Sequence, residues 1–387
     1  MKIVHLIDYF QPRVGYQETF LAKEHKKLGH EVCVLTSNRY YPFPDYETTY
    51  EKLLGSRRLS AGRKDEEGID TLRLESIEIP STPLVYLIGL QMALTTLKPD
   101  VVFCHGVHSL TSYLIACEKK DLGFILIYDT HAAHFNTNLT NTFLKRVYHS
   151  VYQKIAVPKI LKEKNVLFAI GEDEQSLLCE DFHLEKKDVP IIRLGVDCDR
   201  FKYSKAQRKR IRKKLQVSRD SILCIYTGKV TPNKDLDVLI NAIQHINDAR
   251  IKLLVVGNGD KNYINTLKKM IHNNWLIWVD FVDNQELFSY YSASDIAIWP
   301  GDSTIAIIEA ISCKLPVILP IWYGTKYLDG SGGIFRFKRG NIDELVTQIR
   351  FLAYNNNLRK DVAKKVRRYV ISELSWKVIS QQTLQLL

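Results

Sequence analysis

Short, continuous apolar runs alternate with amphipathic helical patterns along nearly the whole chain, and this alternation limits the fold more than any other feature. A strand that is buried on both faces reads as an unbroken run of Val, Ile and Leu. Such strands occur in parallel sheets covered by helices, because each parallel connection needs a long crossover. The sequence therefore predicts an α/β fold built from βαβ units.

The apolar runs form two series of expected strands. In the first half they are Lys2–Ile7, Glu31–Thr36, Asp70–Leu74, Val101–Cys104, Phe124–Tyr128 and Val166–Ile170. In the second half they are Ile222–Thr227, Ile251–Val256, Ile277–Phe281, Ile296–Trp299, Pro316–Leu319 and Gly333–Phe337. Helical patterns lie between them, for example Gln17–Leu28, Asp235–Ile246, Asn262–His272 and Thr304–Cys313.

A break separates the two series. Polar and basic residues follow Asp197 as far as Leu215 without a strand pattern. Because 387 residues exceed one ordinary core, we expect two Rossmann-like domains, residues 1–197 and 198–373. A last helical segment, residues 374–387, follows the second domain.

Composition excludes several classes of protein. Hydrophobic residues make up 45% and charged residues 25%, which is typical of an ordered globular chain. The seven cysteines form no CxxC pair, so neither a disulfide framework nor a zinc site is expected. The opening MKIVHLIDYF lacks the charged start and long apolar middle of a signal peptide, and we expect a cytoplasmic protein.

The net charge of +11 fits three kinds of partner: nucleic acid, anionic lipid or a phosphorylated small substrate. The excess is concentrated in Lys202–Lys214 and Phe143–Lys164. In the second run, apolar residues recur with helical spacing beside Lys145, Arg146 and Lys154, so the helix either packs on the sheet or binds an anionic membrane surface from the cytosolic side. Neither run interleaves stacking aromatics in a known nucleic-acid-binding pattern, and we expect no nucleic acid.

Ligands of open α/β sheets bind beyond the carboxyl ends of the strands, so with two sheets we expect a site in the cleft between the domains. Two positions of the first domain qualify. Gly15 lies in the loop after the first strand, where a glycine lets backbone N–H groups approach an anion; a simple turn glycine is the alternative. His131 ends another strand, where it is either a ligand contact or structural.

Two loops of the second domain carry candidate phosphate contacts. Lys229 and Lys234 lie on a loop that opens a helix, and their charges can converge on one diphosphate; a solvated loop is the alternative. Gly257 and Asn258 begin a Gly-x-Gly turn after the next strand, which is weak evidence by itself.

A third loop of the second domain leads into the apolar pattern Thr304–Cys313. Ser303 and Thr304 lie at its expected N-cap. Glu309 stands inside an apolar run, where burial of a carboxylate is costly unless it is hydrogen-bonded. It is either a contact to a ribose diol or a buried structural acid.

Taken together, these loops resemble retaining glycosyltransferases of the GT-B fold in family 4, in the type used for surface-polysaccharide assembly. The motifs that carry the resemblance are Pro12-x-x-Gly15 with Leu28-Gly29-His30-Glu31-Val32, Gly195-Val196-Asp197-x-x-x-Phe201, Gly228-Lys229 with Lys234, Leu236-Asp237-Val238-Leu239-Ile240, Val256-Gly257-x-Gly259, Ala293-Ser294-Asp295, and Glu309-Ala310-Ile311-x-Cys313-x-x-Pro316-Val317. The resemblance implies two facing domains, with the donor nucleotide held mainly by the second and the C-terminal helix crossing back to the first.

The resemblance also implies roles for single residues. Lys229 and Lys234 would bind the donor diphosphate, Glu309 the ribose, and His131 the donor sugar or diphosphate, while Gly15 would let the diphosphate approach. The family has a second acid where this chain has Gly301, and the neighbouring Asp302 is the expected substitute. Asp197 and Asp199 form a DxD pattern outside any strand end, so no metal or other cofactor is expected.

The predicted activity is transfer of a glycosyl unit, with retention of the anomeric configuration and without a metal, from a nucleotide-diphosphate sugar. The predicted acceptor is a glycan or a lipid-linked glycan. Two other functions stay open from the sequence: a nucleotide-sugar epimerase of the same fold, and an inactive nucleotide-binding homologue, which the missing acid at Gly301 favours.

Overall fold

A computed structural model describes the chain except residues 44–45, 80–83, 135–136, 138–142, 163–164 and 272–273. It divides into two compact units, Met1–Leu194 with Ile379–Leu387, and Gly195–Val378. The boundary after Leu194 lies slightly before the expected boundary at Asp197. The last residues of the C-terminal helix belong to the first unit.

The first unit is a parallel sheet with helices in its connections. Its strands are β1 (Lys2–Ile7), β2 (Glu31–Ser37), β3 (Gly62–Glu66), β4 (Ile69–Leu74), β5 (Ser76–Glu78), β6 (Val85–Leu87), β7 (Val101–His105), β8 (Ile125–Thr130) and β9 (Val166–Ala169). Its helices are α1 (Gln17–Lys27), α2 (Tyr46–Thr49), α3 (Glu51–Leu54), α4 (Leu90–Leu97), α5 (Leu110–Leu122), α6 (Phe143–Lys162) and α7 (Glu172–Phe182).

The strand order of the main sheet is β3-β4-β2-β1-β7-β8-β9, and only β3 runs antiparallel to its neighbour. Strand order therefore reverses between β1 and β7. The loops that follow these two strands leave toward opposite faces and open a crevice at their carboxyl ends.

The second unit repeats this plan. Its strands are β10 (Ile222–Thr227), β11 (Ile251–Val256), β12 (Leu276–Val279), β13 (Ile296–Ile298), β14 (Val317–Pro320) and β15 (Ile334–Phe337). Its helices are α8 (Lys205–Lys214), α9 (Leu236–Ile246), α10 (Lys261–Lys269), α11 (Asn284–Ala293), α12 (Ala306–Ser312), α13 (Ile342–Tyr354), α14 (Asn356–Glu373) and the start of α15 (Trp376–Leu384). The all-parallel order β12-β11-β10-β13-β14-β15 reverses between β10 and β13.

Each apolar run that was predicted to be a strand is a strand, with ends displaced by a residue or two. Three strands were not predicted: β3, β5 and β6. The edge strand β3 has the sequence Gly-Arg-Lys-Asp-Glu and is mostly exposed, so it carries no hydrophobic signal. Of the predicted helix Asn262–His272, the structure shows Lys261–Lys269, and His272 lies outside the described residues.

Part of the basic run Lys202–Lys214 is structural. On α8, Arg208 and Arg212 donate to backbone carbonyls at the end of α11, among them that of Ala293 at 3.0 Å from both guanidinium groups. The same two side chains pair with Asp295 at 2.7 and 3.2 Å. The Arg212 side chain is only 8% exposed, so its charge depends on Asp295 for compensation.

We expect Asp295→Asn to lower the unfolding free energy of the second unit by about 3 kcal/mol, because it leaves buried Arg212 without its anion. All five tryptophans, at positions 275, 278, 299, 322 and 376, lie in this unit, so urea unfolding followed by tryptophan fluorescence reports on it alone. Glu286→Gln is the matched control, since it breaks an exposed α8–α11 pair with Arg210 and should cost less than about 1 kcal/mol. Equal effects of the two substitutions would show that Arg212 does not depend on Asp295 for its compensation.

Candidate functional site

The loops after β10 and β11 lie against each other at the carboxyl edge of the second sheet. Val230 pairs with Gly259 in an isolated parallel bridge. A Cβ atom on Gly257 would lie 1.9 Å from the Gly228 carbonyl oxygen, and the φ of Gly257 is +150°. Gly257 is therefore required by this close approach of two backbones. Asn258 is exposed in the same turn, and its side-chain oxygen accepts from the Gly259 N–H.

The loop after β10 also contacts the loop after β13, across the point where strand order reverses. The Asn233 side chain donates to Asp302 Oδ2 at 2.7 Å, and Lys234 Nζ donates to the carbonyls of Asp302 and Ser303 at 3.1 and 3.2 Å. Arg339, beyond β15, donates to Asp302 Oδ1 at 2.9 Å and to Asp235 Oδ2 at 2.6 Å. These bonds fix the two loops to each other.

Lys229 and Lys234 lie close enough for their charges to interact. Lys234 is half-buried, and burial together with the charges of Arg339 and Lys229 lowers its pKa, although Asp302 acts in the opposite direction. Lys229 is exposed. Arg339 is paired with Asp235 and Asp302, so the two lysines provide the positive edge that favours an anionic ligand.

Glu309 is buried, as its apolar surroundings predicted. Its carboxylate accepts from Asn284 Nδ2 at 2.9 Å and from the Tyr291 hydroxyl at 3.3 Å. Burial raises the pKa of Glu309 to about 7, against the opposing effect of these two hydrogen bonds. The acid is therefore hydrogen-bonded within the protein and still has lone pairs for a ligand.

Ser303 and Thr304 do not cap the helix that carries Glu309. This helix, α12, begins at Ala306, and Ile305 at its N-cap position makes no side-chain capping bond. The prediction of a Ser/Thr N-cap was therefore wrong. The cause is that the chain from Trp299 to Thr304 is tied to the loop after β10, so the helix starts later than its apolar pattern indicated.

Gly301 stands where the resemblance implied a second acid. A Cβ atom at this position would lie 2.5 Å from the Asn233 carbonyl oxygen and 2.8 Å from Lys234 Cα. No side chain fits while the two loops keep this contact. The carboxylate of the neighbouring Asp302 accepts from Asn233 and Arg339, and its role as the substitute acid and sugar contact stays a prediction.

The first unit contains a cavity of about 420 Å³ at the carboxyl ends of β1, β7 and β8. Its aromatic and titratable lining residues are Asp8, Tyr9, Tyr16, Glu18, Tyr41, Phe43, His105, His108 and His131. Two buried lining side chains, Gln11 and Glu18, each have a polar atom without a hydrogen-bond partner in the described chain. Gly15 precedes the lining residue Tyr16 and has a φ of +82°. Burial raises the pKa of the lining carboxyl groups of Asp8 and Glu18, that of Asp8 to about 6.

His131 follows β8 directly and lines this cavity, as its position in the sequence predicted. Its Nε2 lies 3.7 Å from Asp129 Oδ2. Burial alone would lower the pKa of His131, but the charges of Asp129, Glu18 and Glu174 raise it above its usual value.

The DxD pattern of Asp197 and Asp199 lies in a turn. Asp197 Oδ1 accepts from the N–H groups of Asp199 and Arg200 at 3.1 and 3.0 Å, so this carboxylate closes a turn. Among the described residues, no group of three or more His, Cys, Asp or Glu side chains could hold a metal ion. All seven cysteines are free.

Helix α6 has one packed face and one exposed apolar face. Its Tyr148 hydroxyl donates to the His108 carbonyl at 3.0 Å, and Tyr152 and Ile160 are buried. On the other face, Phe143, Val147, Val151 and Ile155 are 71%, 45%, 50% and 55% exposed. Part of the predicted stripe therefore packs on the unit and part is exposed, and membrane binding by the exposed part stays a prediction. The end of the predicted run, at Lys164, lies outside the described residues, and no described helix is long and apolar enough to cross a bilayer.

Two family profiles match this chain. Glycosyltransferase family 4 matches residues 19–200, and the group 1 glycosyl transferases match residues 207–369. The chain belongs to these glycosyltransferases. Relatives of this glycosyltransferase include a sulfoquinovosyl transferase of Arabidopsis thaliana, 22% identical over 91% of this chain and 66% of that protein. A glycosyltransferase of Methanocaldococcus jannaschii is 22% identical over 94% of this chain and 90% of its own length.

Solved structures confirm the expected GT-B fold of two Rossmann-like domains. A glycosyltransferase from Rickettsia africae gives a TM-score of 0.74 at 17% identity, over 99% of this chain and 97% of that one. Anabaena HepE in complex with UDP gives a TM-score of 0.72 at 17% identity, over 100% of this chain and 99% of that one.

Sequence reasoning missed three residues that the structure brings to these sites. Arg339 is distant in sequence from the loops it holds, so no motif points to it. Glu18 could have been noticed as an acid in the first turn of the helix after Gly15. Asp129 lies two positions before His131 at the end of a strand, and this spacing places both side chains on one face.

We expect Gly301→Ala to lower the unfolding free energy of the second unit by about 1–3 kcal/mol, because the methyl group must push the two loops apart. Urea unfolding with tryptophan fluorescence measures this. Ser303→Ala, in the same loop, adds no atom and should leave stability nearly unchanged. If Gly301→Ala is as stable as the unmodified protein, the two loops are not in close backbone contact at this position.

Proposed function

We propose that this glycosyltransferase uses a nucleotide-diphosphate sugar and retains the anomeric configuration. The observation that carries the proposal is the positive edge at the strand-order reversal of the second sheet, where Lys229 and Lys234 stand at the carboxyl end of β10. A diphosphate is the ligand that two close cations at such an edge favour. The complex of the Anabaena neighbour with UDP-glucose supports the same class of donor.

No metal is required in this proposal. The leaving diphosphate gains negative charge as the glycosidic bond breaks, and preorganised cations stabilise that charge. In this protein Lys229 and Lys234 supply the positive charge, which a metal ion supplies in other enzymes. Retention follows if the leaving phosphate takes the proton of the acceptor hydroxyl on the same face of the sugar. No group of the protein then forms a covalent intermediate.

The cavity of the first unit supports a glycan as the acceptor. Aromatic rings such as Tyr9, Tyr16 and Tyr41 offer flat apolar faces, while Gln11 and Glu18 offer buried polar atoms that still lack partners. A ring with many hydroxyl groups satisfies both kinds of surface. Among the described residues that line the cavity there is no lysine or arginine, which disfavours a free phosphate as its ligand.

The exposed face of α6 supports attachment to the cytosolic surface of a membrane, and hence a lipid-linked acceptor. Four apolar side chains stand in one row, and the described helix contains Lys145, Arg146 and Lys154 without any acidic residue. An apolar row with basic neighbours is the arrangement that binds at an anionic lipid interface.

We expect the affinity for UDP to fall by about tenfold for each pH unit below 7, and this loss to depend on Glu309. The pKa of Glu309 in the free protein is about 7, above its usual value, so the side chain is neutral at lower pH. Accepting two ribose hydroxyl groups favours the ionised form, and binding must then release a proton. Calorimetry at pH 6, 7 and 8 measures the effect.

Glu309→Gln is the control, because glutamine cannot titrate. Any protonation of the UDP phosphate groups affects binding to both proteins equally. At pH 8 it should bind UDP more weakly by about 1.5–3 kcal/mol. The difference between the two proteins should shrink toward pH 6. A constant difference at all three pH values would show that Glu309 does not contact the ribose.

We expect the protein to sediment with vesicles that contain phosphatidylglycerol, and binding to decrease as salt screens the basic side chains. Replacing Val147 and Val151 by glutamate should abolish the binding. Phe351→Glu changes an equally exposed apolar residue on α13 and should have no effect. Equal binding to neutral vesicles, or no response to the paired substitution, would contradict the proposed surface.

A further inference from the structure

Three buried histidines form a continuous hydrogen-bonded chain beneath the cavity of the first unit. His105 Nε2 lies 2.9 Å from His5 Nδ1, and His5 Nε2 lies 3.2 Å from His25 Nδ1. The His5 and His105 rings are nearly parallel, with 4° between their planes. At one end His105 Nδ1 is 2.5 Å from Asp129 Oδ2, and at the other His25 Nε2 is 3.0 Å from Thr383 Oγ1.

As long as the three rings are neutral, Asp129 sets the direction of every bond in this chain. Burial would raise its pKa, but the neighbouring His105 and His131 hold it well below its usual range, so Asp129 is an anion. An ionised carboxylate can only accept, and His105 must donate from Nδ1. A neutral His105 then accepts at Nε2 from His5 Nδ1–H, and a neutral His5 accepts from His25 Nδ1–H. Burial lowers the pKa of His5 and that of His25, the latter to about 4, which keeps both rings neutral.

The far end of the chain can be completed in two ways. The Thr383 hydroxyl lies 3.0 Å from His25 Nε2 and 2.8 Å from the Ser380 carbonyl, and its single proton can go to only one of them. If it goes to His25, all three rings carry their proton on Nδ1. If His25 instead carries its proton on Nε2, each ring along the chain must donate from Nε2, and His105 needs a second proton on Nδ1. The two arrangements differ by one proton, which resides on His105.

We propose that Thr383, His25, His5 and His105 form a positioning relay that keeps Asp129 available to His131. In the neutral relay His131 is the cation that faces Asp129, and the carboxylate favours the charged form of the ring in the cavity. Glu18 on α1 and Glu174 on α7 also face His131 and act in the same sense. At the other end of the relay, the titratable ring of His30 contacts His25 edge-on. The role of cationic His131 rests on the proposed glycosyl transfer, whereas the relay itself does not.

The relay is tested by ¹⁵N NMR of histidine-labelled protein, with signals assigned by His5→Gln, His25→Gln and His105→Gln. Ring-nitrogen shifts separate the Nδ1–H, Nε2–H and doubly protonated forms. We expect His5, His25 and His105 to be Nδ1–H at neutral pH. Thr383→Val removes the hydroxyl proton and leaves the Ser380 carbonyl, 3.4 Å away, as the acceptor next to His25. We then expect His5 and His25 to become Nε2–H and His105 to become doubly protonated, while Thr383→Ser keeps the original pattern.

The effect on His131 is tested by the pH dependence of turnover. Activity that needs cationic His131 falls as pH rises through its pKa, and the neighbouring anion raises that pKa. Asp129→Asn should therefore move the alkaline limb of the profile about 1–2 pH units lower. Thr383→Val should move it in the same direction, and Thr383→Ser should not. Unchanged ring tautomers in Thr383→Val would overturn the relay, and an unchanged alkaline limb in Asp129→Asn would overturn its link to His131. The NMR measurement needs no sugar donor, so a complete lack of transfer would count against the proposed function alone.

Discussion

In a parallel sheet, right-handed crossovers send the connections on either side of the first strand to opposite faces. The two loops that leave the reversal point therefore diverge, and the carboxyl ends of two adjacent strands stay uncovered. In this chain the reversal occurs between β1 and β7 in the first sheet and between β10 and β13 in the second. The cavity and the positive edge lie at these two points. Backbone topology, before any choice of side chain, decides where ligands can bind.

The partners of a carboxylate determine whether its charge is compensated within the fold. Asp295 is neutralised by two arginines and holds two helices together. The described hydrogen-bond donors to Glu309 are the neutral Asn284 and Tyr291, and burial raises its pKa. Asp129 lies beside His105 and His131, which hold its pKa well below its usual range. Carboxylates thus differ according to their partners: Asp295 supports the fold, whereas we propose ligand binding for Glu309 and the positioning of a proton for Asp129.

Much of the fold could be predicted because buried parallel strands leave a direct hydrophobic signal. The edge strand β3 could not, since its exposed sequence has no such signal. In the site, positions at strand ends located Lys229, Lys234 and His131. The contact of Gly301 with the backbone of Asn233, the reach of Arg339 and the histidine relay depend on residues far apart in sequence, and no local pattern encodes them.

Cleavage of a nucleotide-diphosphate sugar, with retention and without a metal, is the central proposal for this chain. ¹H NMR of the anomeric protons, during incubation with a panel of nucleotide sugars in EDTA, tests it most directly. We predict that at least one donor is consumed, in slow hydrolysis or in transfer to a glycan, and that the first product has the anomeric configuration of the donor. Inversion in the first product, or cleavage that appears only after magnesium or manganese is added, would contradict the proposal.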